Sequence, residues 1–422
     1  MKSVEDTLSD LFAKLMEENF PQDVLLLLLV TKKVKKHGIN LTRNQKQKLT
    51  LHFQNNGVEG LDGLKIELNR KQKAQLKKFG HENVILSIDD TDLDNLRAEL
   101  EELFSNVGEK TLAYLSKKLL REWKNQSKPM LRMQKSNRRI FNIYVNKHWG
   151  KSLDLLEALI GVCLEVGLDF NEKYRPTAIQ ENNLVFDVLT RLHARGCQVS
   201  SEILTLLRNG FADGAHARWR TLHEICTEAR FIQIYGNDVA FRYAKHAVVA
   251  DYQRAIAYRE HSSVIGYMPP SPEEFDFIEK QHDEVLKLFG VSFGRDYGWA
   301  HNALNKKEKD KVTFTEIEKM VGLSHIRPFY KSANLNVHSG SLGTIFRLGL
   351  PPNRNLLVAG PSIYGLAEPG QNTAYSINLL TKSLLSIDSS SLENIGFILA
   401  SGKLTDEVVW GFDKVTAESE NF

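Results

Sequence analysis

Cysteine is scarce in this chain. Cys163, Cys197 and Cys226 are odd in number and far apart, and no two of them form a C-x-x-C pair. That pattern fits a reducing compartment and argues against a disulfide scaffold or a thiolate zinc site. Long apolar runs are missing as well. The longest, VLLLLLV at residues 24–30, falls far short of the roughly 20 residues that span a bilayer. It follows the acidic start MKSVEDTLSDLFAKLMEENF, where a secretory signal would carry basic residues, so a cytoplasmic protein without a membrane anchor is expected. A dominant charge is lacking too. The formal net charge is only +3, so any affinity for polyanions has to come from local patches. There is no Walker loop, no G-x-G-x-x-G, no G-x-S-x-G, and no H-x-x-x-H or H-E-x-x-H pair. On those grounds neither a cofactor nor a metal is expected.

What is present is helical spacing. In SLDLLEALIGVCLEVGL, Leu153, Leu156, Leu159, Ile160 and Cys163 recur at steps of three and four, as on one face of an amphipathic helix. Strand signals are few, and five of the 11 prolines cluster at Pro269, Pro270 and Pro272 and at Pro351 and Pro352, which marks loops. The reading is a mainly α protein. A chain of 422 residues is too long for one compact core. Composition shifts near residues 140–150, after alternating charge blocks that include the acidic IDDTDLDNLRAELEELF and a basic run from Lys117 to Lys151. The expected division is a smaller, charged helical region at 1–145, a multi-helix domain at 146–400 and a tail at 401–422. In the basic run, Arg132, Lys135, Arg138, Arg139 and Lys147 interleave with Phe141, Tyr144 and Trp149. Such a run could grip phosphates and stack bases, or could simply be a solvated helix face.

The densest polar stretch is GAHARWRTLHEICTEARF, residues 214–231. Residues three, four and seven apart share a helix face, so His216, Arg220, His223 and Glu224 line one stripe. Arg220 and Glu224 are spaced for an intrahelical ion pair, with His223 a packed neighbour. Downstream, Asp238 reads as an N-cap after Gly236, and Arg242 and His246 lie four apart beside Tyr243. In RPFYKSANLNVHSGS, Pro328 suits a first helical turn, and Arg327, Lys331, Asn334 and His338 follow at helical steps, with Tyr330 among them. Thr313 and Glu316 form a capping box, and Gly322 ends that helix.

Arg218, four residues and then His223 resembles the arginine–histidine signature of the HEPN ribonucleases. What that resemblance implies is a metal-independent site in a dimer, where the arginine stabilises phosphate charge and the histidine assists attack by an RNA 2′-hydroxyl. Five residues on a straight helix turn Arg218 away from His223, so Arg220 is the competing partner. The blocks HWGKSLDLLEALI, EILTLLRNGFADGAHARWRTLHEICTEARFI, DYGWAHNAL, IRPFYKSANLNVHSG and GPSIYGLAEPGQNTAYSINLLTKSLL, in that order, also resemble a mostly bacterial family of unknown function, number five-six-seven-seven, over about residues 148–390. It implies an all-helical domain and brings no activity with it.

Three functions fit these residues. The first is a HEPN-like endoribonuclease of the toxin or anti-phage type, with Arg218, Arg220, His223, Glu224 and His338 catalytic. Arg138, Arg139, Tyr243, His246, Arg327 and Tyr330 would then bind substrate. Its expected partners are RNA, a second copy of the chain and a protein encoded nearby. The second is a non-catalytic helical module that binds a protein or nucleic acid. The third is a metal-dependent hydrolase.

Overall fold

The computed structural model describes residues 21–61, 64–78, 88–266, 268–338, 340–351 and 358–419. The acidic start, Ser339 and Pro352 lie outside the described residues, as do the side chains at 90, 93, 97, 101 and 103–115 of the acidic block and its continuation. The fold is all-α, and no strand occurs among the described residues. The chain divides into two compact units, Met1–Met133 and Gln134–Phe422.

In the first unit, helices α1 (Gln22–Lys36), α2 (Arg43–Asn56) and α3 (Arg70–Lys78) precede the start of α4 (Asp90–Gln180). The leucine-rich run lies in α1, where Leu26, Val30 and Val34 pack with Leu49 and Phe53 of α2 and Leu76 of α3. Helix α2 begins at a capping box, with Gln45 N bonded to Thr42 Oγ1 and the Gln45 side chain accepting from Thr42 N.

The second unit is a helical bundle built around α6 (Ala212–Tyr235). Against α6 lie α5 (Leu184–Arg208), α7 (Asn237–Ile265), α9 (Phe314–Met320), α10 (Arg327–Val337) and α12 (Ala367–Leu385). Helix α8 (Pro272–Phe289) packs on α7, the short α11 (Ser341–Ile345) on α10, and α13 (Leu392–Ser419) on α12. The stretch 401–419 is therefore part of a helix whose Val408 and Phe412 are fully buried in the core of the unit. The three-and-four spacing of α4 has its expected consequence, since Leu153, Leu156, Leu159, Ile160 and Cys163 all enter that core. Gly196 lets α5 approach α12 closely, because a Cβ there would strike the Leu380 side chain.

Local signals hold at several helix ends. The Thr313–Glu316 capping box opens α9, Gly322 after it takes a left-handed φ of +77°, and Pro328 sits in the first turn of α10. Asp238 differs from expectation. Gly236 occupies the cap, and Asp238 lies in the first turn, where it accepts from Arg242 Nε at 2.9 Å.

One buried histidine gives this unit a pH dependence. His193 of α5 is 4% exposed and bonds Thr381 Oγ1 of α12 at 3.0 Å. Burial pulls its pKa from 6.5 down to about 4. Between those values the unfolded chain binds the proton and the folded chain does not, so the stabilising contribution is complete above pH 6.5 and falls away as pH drops towards 4. We expect His193 to account for a loss of about 3 kcal/mol over that window, from its shift at 1.36 kcal/mol per unit. Urea unfolding at pH 7, 5.5 and 4.5 checks this: a His193→Gln variant should show a visibly flatter pH profile, and an unchanged profile would reject the assignment.

Candidate functional site

Along the buried edge of α6, His216, Trp219 and His223 stack, each ring centroid 5.4 Å from the next. Their spacing of three and four places them on one helical stripe, and all three are at most 2% exposed. Trp219 is tied down at its polar end, since Nε1 donates to Asn372 O and to Ser376 Oγ of α12, both at 3.0 Å. His216 is the deepest of the three. Its Nε2 lies 3.2 Å from Glu368 Oε1; burial lowers the His216 pKa to about 4 and raises that of Glu368.

His223 has a different environment. Its Nε2 lies 2.8 Å from Oε1 of Glu318 on α9, a carboxylate that is itself 1% exposed. The second oxygen of Glu318 accepts from Arg327 Nη1 of α10 at 3.0 Å. An Arg–Glu–His chain therefore joins three helices. Buried charges survive in a fold when they are paired in this way. Phe314 and Tyr330 close around the imidazole at centroid distances of 5.8 and 5.7 Å. With Nε2 engaged, Nδ1 has no partner among the described residues. His223 also lines a pocket of about 510 Å³ together with Trp219, Phe329, Asn372, Tyr375 and Lys382. A histidine held by a carboxylate at one nitrogen and facing a cavity with the other is equipped for proton transfer.

The remaining sequence-predicted residues separate into other neighbourhoods. Arg218 pairs with Glu202 of α5 and reaches Thr221 Oγ1 at 3.4 Å, so its guanidinium serves the α5–α6 contact. Arg220 pairs with Glu224 at 3.0 Å as the four-residue spacing suggests. Tyr330 joins them, its hydroxyl donating to Glu224 Oε1 at 2.5 Å and its ring lying 5.1 Å from the Arg220 guanidinium. Burial and the Glu224 carboxylate push the Tyr330 hydroxyl up to about 12. Tyr243 donates to Glu228 Oε2 at 3.1 Å, and burial pushes that carboxyl up to about 7. His246 turns elsewhere, with Nε2 3.0 Å from the Arg295 carbonyl and its pKa lowered by burial. His338 is exposed at the C-cap of α10. Arg138 and Arg139 are exposed on α4, as are Lys135 and Lys147, whereas Trp149 is buried and donates to Ile363 O at 2.9 Å. That tryptophan is not available to stack a base.

Sequence reasoning did not single out Glu318, Asn372 or Lys382. Nothing local marks them: Glu318 lies two residues beyond the capping glutamate Glu316, and its partner His223 is 95 positions away. Among the described residues no group of three or more His, Cys, Asp or Glu side chains is arranged to hold a metal ion. No described helix is long and apolar enough to cross a membrane.

No curated protein and no solved structure matches the chain. The family resemblance is confirmed over a narrower span than the motifs suggest, since HWGKSLDLLEALI and GPSIYGLAEPGQNTAYSINLLTKSLL fall outside it. The matched segment includes α6, α9 and α10 and thus His223, Glu318 and Arg327, but not α12, which supplies Asn372 and Lys382. Residues 186–354 match the model of DUF5677, a family of unknown function.

Proposed function

We propose that the second unit is a metal-independent endoribonuclease in which His223 is the acid–base group. The observation that carries this reading is the Arg327–Glu318–His223 chain, which ends at a pocket wall. On this reading His223 Nδ1 takes the proton of an RNA 2′-hydroxyl. The O2′ then bonds to phosphorus, and the bond to the 5′-oxygen breaks as that oxygen takes a proton from water, leaving a 2′,3′-cyclic phosphate and a 5′-hydroxyl end. Glu318 fixes the imidazole through Nε2 and stabilises its positive charge once the proton arrives. The phosphate charge falls to Lys382 on the same pocket wall, because Arg218 and Arg220 are held by Glu202 and Glu224. The HEPN resemblance supplies the setting of this proposal, a toxin or anti-phage protein working as a dimer on RNA, with exposed Arg138 and Arg139 available to the strand.

Removing a general acid–base group typically costs 10²–10⁴-fold in rate. Expression of the wild type in a bacterial host is therefore expected to slow growth and fragment RNA, while His223→Gln is harmless. Equal growth with intact RNA in both cultures would count against the nuclease. A second reading is a non-catalytic helical module that binds a partner. It is favoured by the pairing of Arg218, Arg220, Tyr243 and His246 within the chain, which gives each a structural role.

A further inference from the structure

The pocket beside His223 has a second feature that the acid–base reading does not use. Asn372 is 7% exposed and lines the pocket, yet its side-chain Nδ2 is buried without a hydrogen-bond partner. A buried donor left unpaired is unfavourable and rare in folded proteins, so its presence on a cavity wall points to an acceptor supplied from outside the chain. Its backbone carbonyl is already fixed by the Trp219 indole, which holds this turn of α12 in place. The pocket is also lined by two aromatic rings that folding leaves partly uncovered, Phe329 at 38% and Tyr375 at 48% exposure. Lys382 also lines the wall.

We infer that this pocket takes a planar nucleobase, read on its edge by the Asn372 amide, with the attached phosphate beside Lys382. The side-chain amide carries a donor and an acceptor on one plane, the arrangement that matches the edge of a base. Exposed aromatic faces are the usual partners of an unstacked base. The volume of about 510 Å³ lies in the range of small-ligand sites. A sugar phosphate alone would leave the amide and both rings unused. This inference rests on the reading of the site as acting on RNA, and it names the part of the substrate that the pocket holds.

The test is calorimetric titration of the full chain with AMP, GMP, CMP, UMP and ribose 5-phosphate. At least one nucleotide is expected to bind tenfold or more tightly than ribose 5-phosphate. Asn372→Leu and Tyr375→Ala should each weaken that binding at least tenfold. Because Tyr375 is half exposed, its truncation leaves the fold intact even if the Asn372 variant does not fold. A three-nucleotide strand with 2′-deoxy linkages separates the two sources of the base: tighter binding than the mononucleotide assigns a strand, equal binding a free nucleotide. If no nucleotide exceeds ribose 5-phosphate, or if Tyr375→Ala binds as the wild type does, the inference is overturned. Cleavage and nucleotide binding, both measured on the wild type, keep the two claims apart. Nucleotide binding with no RNA cleavage by the wild type would defeat the nuclease and leave the base pocket standing, and cleavage without nucleotide binding would do the reverse.

Discussion

Glu318→Ala is expected to destabilise the second unit by about 3–5 kcal/mol, the usual cost of removing one member of a buried ion pair. Glu318 is 1% exposed and bonds both His223 and Arg327, so its loss leaves a buried imidazole and a guanidinium without their common acceptor. The start of α9 does not depend on it, because the capping box uses Thr313 and Glu316. The effect should therefore come from the broken chain rather than from a melted helix. Glu318→Gln should cost less, about 1–3 kcal/mol, since the shape is kept and one polar contact survives. Urea midpoints of the three proteins measure this. If Glu318→Ala unfolds at the wild-type midpoint, the chain is not a stabilising element.

Trp219→Ala should cost a similar amount, about 3–5 kcal/mol, through lost burial and the cavity left behind. Trp219 is 1% exposed and forms the middle of the His216–Trp219–His223 stack. Its indole N–H also donates to Asn372 O and Ser376 Oγ, and the truncation removes both bonds. Trp219→Phe separates the two contributions: it keeps most of the ring contact and loses both hydrogen bonds, for an expected cost of about 1–3 kcal/mol. Denaturant midpoints again decide. A Phe variant as unstable as the Ala variant would show that the hydrogen bonds, not the packed area, dominate here.

These expectations indicate which parts of the molecule the sequence discloses. The apolar face of α4 at Leu153, Leu156, Leu159, Ile160 and Cys163 was legible because helical period and burial coincide there. So was the Arg220–Glu224 pair, which is local and needs no knowledge of the fold. The spacing of His216 and His223 on one stripe was legible too, though not its partners. His223 finds Glu318 and Glu224 finds Tyr330 across separations of 95 and 106 residues, and those choices are set by how α9 and α10 settle on α6. The Arg218–His223 spacing illustrates the limit of a short motif. The helix turns Arg218 towards α5 and Glu202, while His223 faces α9 and the pocket. Asn372 was invisible for the same reason, because a buried amide without a partner exists only once α12 lies against Trp219.

The central proposal is that His223 moves a proton at this pocket, and single-turnover cleavage of a short RNA in the presence of EDTA tests it most directly. The wild type is expected to release a 2′,3′-cyclic phosphate and a 5′-hydroxyl end, a strand with a 2′-deoxy residue at the cut site to be inert, and His223→Gln to be slower by about 10²–10⁴-fold. Equal rates for wild type and His223→Gln, or cleavage of the 2′-deoxy strand, would contradict it.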